Sequence, residues 1–118
     1  MPQFVLLVHE DEGAWSSAEQ SVRDRIVEQH YEFSAMNKDV LVDGNEFQST
    51  AASLDVRGYT VAPSPAPGPG VEVPCGYFLV EAEDIDHAVR IAQRTPMEFG
   101  HVQVRPVQVW EPRDPAAA

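Results

Sequence analysis

Five consecutive apolar residues, Phe4 to Val8, set the first pattern in this chain. A run of that length, with two β-branched members, predicts a strand buried on both faces. His9-Glu10-Asp11-Glu12-Gly13 then breaks the run with charge. Ser16 and Ser17 stand three positions before Glu19 and Gln20, a capping-box spacing that predicts a helix start. The helix is expected over about 17 to 38. Val22, Ile26, Phe33 and Val40 fall near one of its faces, and Arg23, Asp24, Glu28 and Glu32 lie opposite.

Asp43-Gly44-Asn45 reads as turn chemistry. Leu54 and Val56 then alternate with Ser53, Asp55 and Arg57, and Tyr59-Thr60-Val61 follows Gly58, which predicts a hairpin. Residues 62–70 hold four prolines and two glycines, so an extended, polyproline-like loop is expected. Gly76 to Val80 restores the buried-strand pattern. Glu83 or Asp84 caps a second helix carrying Ile85, Ala88, Val89 and Ala92 on one face, and Thr95-Pro96 stops it. Val102 and Val104 alternate, and Val107 and Val109 alternate in the opposite phase, which predicts a bulge or bend at Arg105-Pro106.

The order strand, helix, hairpin, strand, helix, strand predicts an α+β, ferredoxin-like βαββαβ arrangement. Two helices cover one face of such a sheet, while the apolar strands ask for cover on both. A second copy of the sheet supplies it, so a homodimer forming a dimeric α+β barrel is expected.

With 118 residues the chain is read as one domain over 1–110 and a disordered tail over 111–118. Eight basic against nineteen acidic residues give a net charge of −11, which argues against nucleic acid and anionic membrane as partners. No apolar run approaches the roughly 20 residues of a membrane span. The start MPQFVLLVHEDEG lacks the basic region and small-residue site of a secretory signal, so a cytoplasmic location is expected. A single cysteine, Cys75, excludes an intramolecular disulfide and a Cys-rich metal site.

The segments FVLLVHEDEGAW, LVDGNEF, GYFLVEAEDIDHAVRIAQRTP and GHVQVRPV together resemble YCII-related, DGPF-type domains. The resemblance runs over about residues 3 to 109 and rests on order and residue type rather than on a catalytic signature. It implies a dimeric α+β barrel, a helix histidine working with an aspartate, and lyase chemistry of the dehydrochlorinase type. The family's Asp-Gly-Pro-Phe would fall at 64–67, where this chain has Ser64-Pro65-Ala66-Pro67. The missing aspartate weighs against inherited His–Asp chemistry.

His30 is the candidate catalytic residue: it lies on the inner helix face, four positions after Ile26, and an imidazole there is poised as a general base. Its ordinary reading is a hydrogen-bonded boundary histidine. His9, at a strand end, and His101, Arg105 and Tyr77 are candidate ligand contacts, Arg105 as a carboxylate clamp. Ion pairs and core packing are their ordinary readings. No cofactor and no metal are expected, since neighbouring acids along a chain rarely converge on one ion. Three readings stay open: a module binding a small acidic organic ligand between the first helix and the sheet, a lyase using His30, and a non-catalytic dimeric interaction domain.

Overall fold

The structure, a computed structural model, describes residues 1–114. Strand β1 (Gln3–Asp11) is followed by helices α1 (Glu12–Ser17) and α2 (Gln20–Met36), then by β2 (Leu41–Glu46). Strands β3 (Leu54–Arg57) and β4 (Thr60–Pro63) form a hairpin, and β5 (Glu72–Glu81), α3 (Ile85–Ala92) and β6 (Gly100–Pro106) complete the order. The chain is an α+β fold: one four-stranded antiparallel sheet in the order β2-β5-β1-β6, with three helices and a separate two-stranded β3-β4 sheet. The two helical connections, β1 to β2 and β5 to β6, each step over one strand, so β5 sits between β1 and β2, and β1 between β5 and β6.

Register assigns the faces. Phe4, Leu6 and Val8 on β1 stand opposite Val80, Phe78 and Gly76 on β5, and all share the helix-covered side. There Phe4, Leu6, Val80 and Ala82 pack with Phe33 of α2 and with Ala88 and Ile91 of α3. Leu6 and Val80 are wholly buried, each worth about 1.5–3 kcal/mol of transfer free energy. Val5, Leu7, Tyr77 and Leu79 lie on the other, outer side and are only half-buried. FVLLV is therefore covered on one face within a single chain.

Four expectations need correction. The single helix over 17–38 is two helices. Asp11 caps the first, its carboxylate accepting from Ala14 N at 3.1 Å, and Ala18 and Glu19 are extended before α2 begins. Ser16 and Ser17 do not cap, and Ser16 Oγ donates instead to Glu12 O. Asp43-Gly44-Asn45 is not a turn but the middle of β2. Gly44 is needed there because a Cβ would sit 3.0 Å from the Phe78 ring, while Asp43 and Asn45 on the outer side bond the Tyr77 hydroxyl. The predicted hairpin forms, with Gly58 at φ 61°, but stands outside the main sheet. No bulge occurs at Arg105-Pro106: the β1–β6 register is unbroken, and the phase change marks the end of the strand.

Of the proline stretch, β4 takes in Pro63, residues 64–68 carry no regular secondary structure, and 69–70 form a turn closed by Val71 N donating to Gly68 O at 3.1 Å, with Gly70 at φ 77°. Asp84 caps α3 through His87 N at 2.8 Å, as the sequence implied. Of the tail, residues 111–114 carry no regular secondary structure, and 115–118 lie outside the described residues. Among the described residues no helix is long and apolar enough to cross a membrane.

Candidate functional site

A cleft of about 660 Å³ opens between α1, α2 and the helix-covered side of the sheet, where β1, β2 and β5 run toward their charged ends. Trp15 of α1, His30 and Tyr31 of α2, Phe47 after β2 and Phe78 of β5 supply its aromatic walls. α2 delivers His30 because Ile26 and Phe33 are both buried, and a residue between them on that face must look toward the sheet. The imidazole stacks against Phe78 with ring centroids 6.2 Å apart, and Phe78 in turn leans on Phe33 at 5.0 Å.

A β-bulge in the β1–β5 ladder, between Val8 and His9, leaves Cys75 unpaired and places it on the cleft wall. Burial pushes its thiol up to about 12, reinforced by Glu10, Glu46 and Glu12, so it stays protonated and is no nucleophile. Burial also lowers the pKa of His30 below 6.5, against an opposing pull from Glu46. His30 is thus a neutral imidazole at pH 7, able to accept a proton.

The charged lining is acidic. Glu10, Glu12, Glu46 and Glu98 all border the cleft. Glu12 is committed: its Oε1 accepts from Thr50 N and Thr50 Oγ1, both at 2.8 Å. Glu98 is paired with Arg25 at 2.7 Å on the rim. Glu10 carries a raised pKa, from burial first and then from Glu46, Glu12 and Asp11. Its carboxylate therefore gains most from a ligand that brings positive charge or a hydrogen-bond donor.

The residues singled out in the sequence divide between two faces. His30 lies in the cleft. His9, His101 and Arg105 are on the outer side of the sheet, where His9 faces His101 and Arg105 faces Val5 across strands β1 and β6. The two imidazoles stack with centroids 4.5 Å apart, and His101 Nδ1 meets Glu72 Oε1 at 2.9 Å. His9 Nδ1 lies 3.2 Å from Leu7 O. Tyr77 borders the cleft, but its hydroxyl donates to Asp43 Oδ2 at 2.8 Å and accepts from Asn45 at 3.1 Å. A single pocket joining His9, His30 and Arg105 does not form.

Glu10, Glu46, Phe47 and Cys75 were missed as site residues. Glu46 and Phe47 carried no local signal: Asp43-Gly44-Asn45 looks like a turn, and a register shift between Leu41 and Asp43 interrupts any alternation along β2. Among the described residues no group of three or more His, Cys, Asp or Glu is arranged to hold a metal ion. No protein-family model matches the chain, and no curated protein matches it.

Proposed function

We propose that this chain is a dimeric, ferredoxin-like domain that binds a small organic molecule in the cleft between α1, α2 and the sheet. The cleft's volume falls within the roughly 300–1,000 Å³ of small-molecule sites, and it sets aromatic walls beside His30 and four glutamates. The observation that carries the reading is the neutral His30, set over Phe78 with Glu10 and Glu46 bordering the same space. The strand order β2-β5-β1-β6 supports the ferredoxin-like reading, and the half-buried outer face supports pairing of two sheets into a barrel. Both agree with the resemblance to YCII-related domains.

The lining also bears on the ligand's charge. An acidic ligand, expected while Arg105 and His101 were counted in the pocket, would meet four glutamates there and, among the described residues, no lysine or arginine in the lining. A neutral ligand, or one presenting an ammonium or other donor to Glu10 and Glu46, suits the cleft better. Chemical-shift mapping with paired aromatic amines and aromatic acids tests this. Amines should shift Gly44, Phe78 and His30 resonances and acids should not. Equal response to the acids, or shifts confined to the outer face, would overturn the reading.

A second reading is favoured by His30 itself. A neutral imidazole with a carboxylate acting on it through space is a workable general base for proton abstraction or elimination, with Glu46 in the role the absent loop aspartate would have filled. Turnover of any cleft ligand should then vanish in His30→Ala while binding persists.

A further inference from the structure

The β3-β4 hairpin has one apolar face with no layer of its own chain against it. Leu54 pairs with Pro63 and Val56 with Val61, so these four side chains share a face, while Asp55, Arg57 and Thr60 point the other way. Leu54, Val56 and Val61 are 65%, 68% and 57% exposed, and Tyr59 at the tip is fully exposed. Among the described residues, no hydrogen bond, ion pair or ring contact ties residues 54–63 to a helix or to the four-stranded sheet. A two-stranded hairpin alone in water is marginal at best, and an apolar face needs something to bury it.

The flanks anchor the hairpin at its root only. Its root is fixed where Thr50 bonds Glu12 and where Ser64 N donates to Ser53 O at 3.0 Å. From there the chain runs through residues 64–68 without regular secondary structure and turns at 69–70 beside α1 before β5 begins. The Cα radius of gyration is 17.0 Å, against about 13–14 Å for a compact chain of this length. The thinnest dimension, 19 Å, leaves room for one sheet and one helix layer only.

We propose that the hairpin is an arm laid on a second copy of the chain, its apolar face buried against that copy. This rests on the dimer reading above and adds to it. The outer sheet face offers about a dozen residues and the arm ten more, which together approach the roughly 20–30 per side of a stable interface. Neither surface reaches that size alone. A two-fold dimer also uses these two uncovered apolar faces of each chain at once.

The test combines sedimentation equilibrium with isotope-filtered NOE spectroscopy on a mixed dimer of labelled and unlabelled chains. Wild type should be dimeric at micromolar concentration, with NOEs from the Val56 and Val61 methyls to the other copy. The double variant Val56→Asp, Val61→Asp should raise the dissociation constant at least about tenfold, with far-UV circular dichroism unchanged. A dimer with no such NOEs, or one untouched by the double variant, overturns the arm and leaves the sheet-face dimer standing. A monomeric wild type overturns both. Leu7→Asp, on the outer face, separates the two surfaces: it should weaken the dimer without altering arm variants' circular dichroism.

Discussion

Replacing Gly100 by alanine should loosen the entire junction between β1 and β6. A Cβ at this position would overlap the carbonyl oxygen of His9, with His9 C at 2.7 Å and Glu10 Cα at 2.9 Å. All three are backbone atoms of the central strand, so no rotamer change relieves the overlap. The strands must part at this point. The cost is overpacking strain of about 1–3 kcal/mol together with the Asp11 N to Phe99 O hydrogen bond, now 2.9 Å, worth about 1 kcal/mol. A total of about 2–4 kcal/mol follows, enough to lower Tm by about 10 °C in a domain of this size. Urea unfolding should show the midpoint falling at constant m, and hydrogen exchange should show the Asp11 amide losing protection. The His9–His101 stack should go with it, visible as a change in both imidazole shifts. A loss below about 0.5 kcal/mol with Asp11 still protected would refute the reasoning, because no backbone rearrangement would then have been needed.

Three further outcomes follow from the cleft. Cys75, with its pKa pushed up to about 12, should alkylate about a hundredfold more slowly than a free thiol at pH 8 and recover full reactivity in denaturant; equal rates in the folded state would refute its burial. Glu10→Gln should raise Tm at pH 7 by a few degrees. The raised pKa of Glu10 makes its stability contribution complete only below 4.5 and lost as pH rises through the folded value, so the gain should vanish in acid; a variant less stable at pH 7 would refute this. His30 should titrate below 6.5 by NMR. Its stability contribution is present above 6.5 and lost as pH falls through the lowered value, so His30→Phe should flatten the acid limb of the stability curve; a midpoint above 6.5 would refute the assignment.

How much of this was legible in the sequence depends on which force fixes each residue. β1, β5 and α3 were readable because burial and capping are local in sequence: apolar runs for the strands, and Asp84 with His87 for the helix start. β2 was not. Its polar residues earn their strand positions from Tyr77 on a neighbouring strand, and Gly44 from the ring of Phe78, contacts that no local pattern contains. His30 was legible through helical spacing from Ile26 and Phe33. Cys75 was not, because a bulge decides its direction. His9, His101 and Arg105 share the outer side of the sheet, a parity that follows only once the β1–β6 register is known.

The central position of β1 also has a consequence for the chain as it is made. Leu6 ends up opposite both Phe78 and Val104, so β1 waits for partner strands made roughly 70 and 100 residues after it. At about 5–20 residues per second, roughly 100 residues take roughly 5–20 s to follow it from the ribosome. Until β5 and then β6 emerge, this apolar stretch lacks its strand partners, and closing such distant pairs is slow even afterwards. The acidic residues Glu10, Asp11 and Glu12 directly behind it then act as gatekeepers, repelling other nascent chains from an unpaired strand. Neutralising Glu10 alone, which leaves the Asp11 cap and the Glu12–Thr50 bonds in place, should show as increased aggregation during expression without loss of native stability.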